Sequence, residues 1–267
     1  MSDTPLSVLV IAAHPDDIEF AMMGTALLLK EVGAELHFLN IANGSMGTVS
    51  HSYDEIKRLR WEEAQESARE AGAVMYPPIV DDLAIMYDTN LLARVSAVVR
   101  TAKPTIVLTH SPVDYMEDHT NACRLAVTAT FARGMPNFTT IPPVAPYSYD
   151  VAIYHAMPHG LRDPLRRRIH AGQYVDVTSV MARKRDLLAK HRTQKEWLDK
   201  SQGMDSYILE MEAMNRQVGE MSGRFEYAEG WRRHLHLGFG AAGYDPLTAL
   251  LGNKCWVDED YEAGLDK

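Results

Sequence analysis

The sequence predicts an α/β protein, with a mostly parallel sheet flanked by helices. Three observations carry this. Continuous apolar runs recur that suit strands buried on both faces, the first being Val8-Leu9-Val10-Ile11-Ala12-Ala13. Segments with helical spacing separate them, and a βαβα alternation implies a parallel sheet. Two of the runs also end abruptly in histidine and carboxylates, at the strand ends where open α/β sheets bind ligands.

The 267 residues make one large domain, with a core over about 6–180 and a helical C-terminal elaboration over about 178–267. Hydrophobic content of 46% with 24% charged residues is that of a globular chain able to bury a full core. The net charge of -9 argues against nucleic acid or an anionic membrane as partner. Cys123 and Cys255 lie far apart without metal-type spacing, which fits a reducing compartment. The polar start Met1-Ser2-Asp3-Thr4-Pro5 lacks the pattern of a secretory leader, and no apolar run approaches membrane-spanning length. A cytoplasmic location is expected.

In order, Leu6 to Ala13 is the first strand, ended by Pro15, which has no N–H for a central ladder. Phe20 to Lys30 is a covering helix, closing near Gly33. Glu35 to Ile41 is a second strand, followed by a long polar turn over Ala42 to Ser52. Tyr53 to Ala71 is a helix closed by Gly72, and Val74 to Val80 is a short third strand interrupted by proline. Asp88 to Ala102 places Leu91, Leu92, Val95, Val98 and Val99 on one helical face, and Pro104 stops it. Thr105 to Thr109 is a fourth strand and Asn121 to Arg133 the next helix. Met135 to Pro146, rich in proline, is a surface excursion. Tyr149 to His155 and Gln173 to Val177 are further strands. Helices are expected over Thr178 to Lys200, with Thr178 or Ser179 as N-cap, over Met204 to Met221, and over Phe225 to Leu237.

The chemistry concentrates in His14-Pro15-Asp16-Asp17 and in Asp114-Tyr115-Met116-Glu117-Asp118-His119. Histidine plus carboxylate is a ligand pair that zinc and other borderline divalent metals accept. His14 and Asp17 supply the pair, and His119 is the best third donor, leaving a position open for water. Asp16 is then the general base for that water. Asp114 is a candidate to orient a ligand histidine through its second nitrogen. Asn43, Ser45 and the amides of Gly44 to Thr48 are candidate ligand contacts, though an ordinary turn explains them too. Trp197, Tyr207, Trp231 and Phe239 are read as packing residues by default, and the basic run Arg162 to Arg168 as a solvated loop. Glu19 is expected to cap or pair locally.

Ala13-His14-Pro15-Asp16-Asp17-Ile18-Glu19 with Met23-Gly24-Thr25 resembles the signature of the PIG-L (LmbE-like) deacetylase family. Asn43-Gly44-Ser45-Met46-Gly47-Thr48 resembles its Gly-rich loop, Arg60 and Glu63 its Arg-x-x-Glu helix, and Asp118-His119 the end of its His-Pro-Asp-His segment. Gly134-Met135-Pro136-Asn137-Phe138 is similar to a stretch of the diacetylchitobiose deacetylase branch, and Tyr227-Ala228-Glu229 to a C-terminal feature. The resemblance implies a Rossmann-like fold and a zinc-dependent hydrolase that removes acetyl from an N-acetylated amino sugar. It places His14, Asp17 and His119 on the metal ligands, Asp16 on the general base and Arg60 on a substrate-binding residue. It also implies a homo-oligomer, a trimer or hexamer.

One departure matters. Where the family carries the first histidine of its segment, credited with steadying the oxyanion or protonating the leaving amine, this chain has Met116. A thioether does neither. His110, Tyr115, His155, His159, His234 and His236 are the candidates to replace it. Met116 also leaves two alternatives: a hydrolase of the same fold acting on another amide or sugar conjugate, or an inactive relative that binds sugar or metal.

Overall fold

A computed structural model describes residues 6–202 and 206–266. One eight-stranded sheet runs through it, in the order β3-β2-β1-β4-β5-β7-β6-β8. The first five are parallel: β1 (Ser7–Ala12), β2 (Glu35–Asn40), β3 (Ala73–Tyr76), β4 (Ile106–Thr109) and β5 (Ala152–Ala156). The order reverses between β1 and β4, which pair directly. The two charge-bearing strand ends are therefore neighbours at the crevice that such a reversal opens. β1 is buried along its whole length, as its unbroken apolar sequence requires.

The helices of this half are α1 (Asp17–Ala21), α2 (Met23–Glu31), α3 (Tyr53–Ala71), α4 (Thr89–Ala102) and α5 (Glu117–Phe131). The expected covering helix starts earlier than its apolar pattern suggested and breaks at Met22, whose φ of -134° is not helical. Asp88 caps α4, its carboxylate accepting the Leu91 N–H. α5 begins four residues before the expected Asn121, because acidic Glu117 and Asp118 suit a first turn that faces the positive end of the helix dipole. Asp118 and His119 consequently ride on a helix rather than precede one.

The C-terminal part departs from its sequence reading. Besides its helices it carries strands: β6 (Gln173–Asp176), β7 (Ala228–Arg233) and β8 (Cys255–Val257) extend the sheet by antiparallel pairing. The helix expected over Phe225 to Leu237 is instead the strand β7 with its flanks. Within it, Gly230 packs against Met157 and Ala171, which leave no room for a Cβ. The long helix expected from Thr178 is two, α6 (Met181–Leu188) and α7 (Arg192–Gln202), parted at buried His191. Neither Thr178 nor Ser179 caps α6; Val180 precedes it without a side-chain cap. α8 (Ser206–Ser222) follows, and Met204 of the expected helix lies outside the described residues. α9 (Pro246–Leu251) and α10 (Glu259–Gly264) close the described chain. No helix among the described residues is long and apolar enough to cross a membrane.

Glu229, on β7, binds the two halves. Its carboxylate accepts the Gly24 and Thr25 amides at 2.8 and 2.7 Å, at the start of α2, and pairs with Lys184 at 2.6 Å. An anion at a helix N-terminus is stabilised by the unpaired N–H groups there. Lys184 is fully buried, and burial lowers its pKa. Trp231, also fully buried, donates its Nε1–H to Thr25 Oγ1 at 2.9 Å.

Candidate active site

β1 ends into a tight turn that the side chain of Asp17 closes, its Oδ2 accepting the His14 N–H at 2.7 Å. His14, Asp17 and His119 offer ligand atoms that all lie within 4.8 Å of one another. His119 Nε2 is 3.5 Å from Asp17 Oδ1, and His14 Nδ1 is 3.4 Å from Asp17 Oδ2. The outer nitrogen of each ring is held by a carboxylate. His14 Nε2 is 2.9 Å from Asp118 Oδ2, and His119 Nδ1 is 3.1 Å from Asp114 Oδ1. Those carboxylates keep the proton on the outer nitrogen, so the inner nitrogen presents its lone pair. Asp118 is itself anchored by the Leu83 N–H at 2.7 Å.

This donor set fits a divalent ion of the zinc type. Two imidazole lone pairs and a carboxylate converge on one point with their outer atoms already paired. The electrostatics agree. Burial works against a charged His14, yet its hydrogen bonds to Asp118 and Asp17 push its pKa up to about 10. Burial opposes charge on Asp17 too, but His119 and His110 hold it well below the usual carboxylate range. The cluster is built for positive charge.

A second group, His110, Asp114 and His119, also comes within ligating distance of one another. His110 is engaged elsewhere: its Nε2 accepts the Ala13 N–H at 2.9 Å, and its ring stacks on His119 at 4.2 Å. Burial and the neighbouring His119 lower its pKa, as a neutral acceptor requires.

Asp16 is buried, with φ of +103°, a conformation that favours glycine. Such strain costs on the order of 1–3 kcal/mol and gathers at functional sites. Two side chains fix it. Arg60 Nη2 donates to Pro15 O at 2.8 Å and lies 3.4 Å from Asp16 Oδ1, while Tyr207 O–H donates to Asp16 Oδ2. Burial lifts the Asp16 carboxyl to about 6, against the pull of Arg60. The Gly-rich loop is what lets Arg60 through: a Cβ on Gly44 would sit 2.4 Å from its Cδ, and Gly44 has φ of +76°. Asp82 holds the loop by accepting the Gly44 and Met46 amides.

A cavity of about 610 Å³ opens over these groups. His14, Asp16, Asp17, Arg60, Asp114, Met116 and His119 all border it. Asn43 and Ser45 do not. Asn43 is buried, its amide donating to Asp81 and its carbonyl accepting the Ser45 N–H, so its side chain is spent on the turn. From the same loop, Met46 and Gly47 reach the cavity instead. Arg60 is only 3% exposed and works chiefly on Pro15 and Asp16.

The opposite wall comes from the C-terminal part: Trp197 and Leu198 of α7, Tyr207 and Met214 of α8, and Met157 and His159 after β5. Of the four aromatics singled out in the sequence, Trp197 and Tyr207 thus line the cavity, whereas Trp231 and Phe239 are core. Glu63 seats α7, accepting both the N–H and the hydroxyl of Thr193. Glu19 does not pair locally; it reaches Ser67 at 2.5 Å and His191 at 3.2 Å. The Arg162 to Arg168 loop lies away from the cavity. Sequence reasoning gave no role to Tyr207 on Asp16, Asp118 on His14 or Glu229 on α2. Asp118 carried a signal, one carboxylate beside a ligand histidine; the others join residues some two hundred positions apart.

Comparison with known proteins places this geometry. Residues 9–130 match the family model described as PIG-L: GlcNAc-PI de-N-acetylase. A diacetylchitobiose deacetylase of Thermococcus kodakarensis is 28% identical over 194 residues, 70% of this chain and 69% of that protein. The solved structure of N,N′-diacetylchitobiose deacetylase from Pyrococcus horikoshii, with its inhibitor MPG, superposes with a TM-score of 0.71 at 25% identity, covering 90% of this chain and 88% of that one. GalB of Pseudomonas putida KT2440, a 4-carboxy-2-hydroxymuconate hydratase, shares the fold at a TM-score of 0.69 and 23% identity, covering 86% and 96%.

Proposed function

On the PIG-L core that residues 9–130 match, we propose that this chain is a metal-dependent hydrolase releasing acetate from an N-acetylated amino sugar or its conjugate. The observation that carries the reading is the convergence of His14, Asp17 and His119, each histidine backed by its own carboxylate, beside strained and buried Asp16. The relatives named for deacetylation of diacetylchitobiose support the substrate class.

His14, Asp17 and His119 would hold zinc or a similar divalent ion. Such an ion, when bound, polarises an acetyl carbonyl and lowers the pKa of water to roughly 7. Asp16 accepts the proton of the attacking water. Arg60 and Tyr207 hold its carboxylate in place, and its raised pKa brings it closer to that water's, which favours proton transfer. Asp114 and Asp118 fix the ring orientations of the ligand histidines. The cavity volume suits a ligand larger than one sugar ring. Phe20, Trp197 and Tyr207 offer aromatic surface for a sugar face or an apolar aglycone.

Acetate release tests this. The metal-loaded protein is assayed against N-acetylglucosamine, N,N′-diacetylchitobiose and aryl glycosides of both, before and after chelation. Acetate from at least one, abolished by chelator and restored by zinc, is the expected result. Silence across the panel with zinc bound favours the second reading that Met116 motivates, a hydrolase for another amide or conjugate. Sugar binding without turnover points to an inactive relative.

A further inference from the structure

We propose that His159 supplies the proton to the leaving amine, the task for which Met116 is chemically unfit. The assignment rests on the hydrolytic reading above and names a catalytic residue within it.

Elimination among the imidazoles carries most of the argument. His110 has its Nε2 committed to the Ala13 N–H and its face to His119. His155 is buried, with Nδ1 2.9 Å from His110 O and Nε2 2.9 Å from His234 Nδ1, so the two occupy each other. His234 and His236 border a separate, smaller cavity. His159 is the histidine on the wall of the main cavity, outside the metal-binding group, whose ring nitrogens enter no hydrogen bond among the described residues.

Its position suits the task. Pro158 and Gly160 flank it just beyond β5, the strand paired with β4 on the side away from β1. Gly160, at φ of +72°, turns the chain there. The His159 ring is seated between Phe20, at 5.2 Å, and Tyr115, at 5.9 Å. Tyr115 in turn stands edge-on to His119 at 5.6 Å. Tyr115 thus stands between the His159 and His119 rings, and all three border the same cavity.

The step balances. Water adds to the acetyl carbon and gives one proton to Asp16. Collapse breaks the C–N bond, the bonding pair stays on nitrogen, and nitrogen takes the proton of the His159 ring. Acetic acid and free amine depart, the acid losing its remaining proton to solvent; solvent also carries Asp16's proton away and reprotonates His159.

The experiment compares wild type, His159→Ala and His159→Gln as metal-loaded proteins on the best substrate of the acetate panel. Metal content, KM, kcat and rescue by added imidazole are measured for each. Expected are unchanged metal content, KM within a few-fold and kcat lower by about 10²–10⁴-fold in both variants, with imidazole restoring turnover to His159→Ala and not to wild type. If wild type releases no acetate from any member of the panel, the deacetylase reading on which this assignment rests has failed. If wild type turns over and His159→Ala matches it, this assignment alone is wrong. Loss of metal, an effect confined to KM, or a kcat loss that imidazole leaves untouched would equally overturn it.

Discussion

The carboxyl edge of the parallel half and the wall facing it are built on opposite plans. At the edge, His14, Asp16, Asp17, Asp114, Asp118 and His119 come from two short stretches next to fully buried strands. Each of these side chains is held by backbone, by another charge or by the Tyr207 hydroxyl. The wall is built on apolar side chains instead. Trp197, Leu198, Met157 and Met214 shape the cavity by bulk, on α7, on α8 and on the loop after β5. Chemistry here is local in sequence, and shape is assembled from afar. Tyr207 on Asp16, Thr193 on Glu63 and the Glu229 carboxylate on α2 hold the two together.

If that division holds, substitutions at the edge should abolish turnover, and substitutions in the wall should retune it. The largest effect is expected at Asp16. Asp16→Asn should lower kcat by about 10²–10⁴-fold while zinc content stays at the wild-type level; steady-state kinetics with metal analysis would show it. Tyr207→Phe, which keeps the ring and loses the hydrogen bond, should fall well short of that. Equal losses in the two would mean that the wall takes part in the chemistry.

Next comes the tie between halves. Glu229→Ala strips the α2 amides of their acceptor and leaves Lys184 buried without its counter-ion. Breaking a buried pair this way costs about 3–5 kcal/mol, which chemical denaturation would read as a lower midpoint. Asp118→Asn tests the edge more gently. It keeps the shape beside His14 and removes the charge, so metal affinity should drop by about 10–100-fold in a competition titration, with the fold intact. The smallest effect belongs to Trp197→Ala. KM for a glycoside with an apolar aglycone should rise by about 2- to 13-fold, the loss of one stacking contact of about 0.5–1.5 kcal/mol, with kcat nearly unchanged.

The same division decides what the sequence reveals. β1, α3 and α4 are legible because burial on both faces, or on one stripe, writes a continuous or periodic pattern. The cluster of His14, Asp17 and His119 is legible because charged residues gather where such patterns stop. β7 is not. Its Glu229, Arg232 and Arg233 suggest a solvated helix, and only the tertiary partners of Glu229 make a charged strand stable in the middle of a sheet. Asn43 and Ser45 mislead for a related reason. Polar residues in a glycine-rich turn serve the turn itself as readily as a ligand, and here Asp81 and the loop's own amides claim Asn43. Arg60 belongs to both groups: it reaches the site, but its guanidinium supports Asp16 from beneath.

The most direct test of the metal centre is a calorimetric zinc titration of the chelator-stripped protein beside its Asp17→Ala and His119→Ala variants. One equivalent bound tightly by wild type, and lost in both variants while their circular dichroism spectra stay unchanged, is the result this account predicts. Binding that survives in either variant, or a wild-type protein that takes up no zinc, would contradict it.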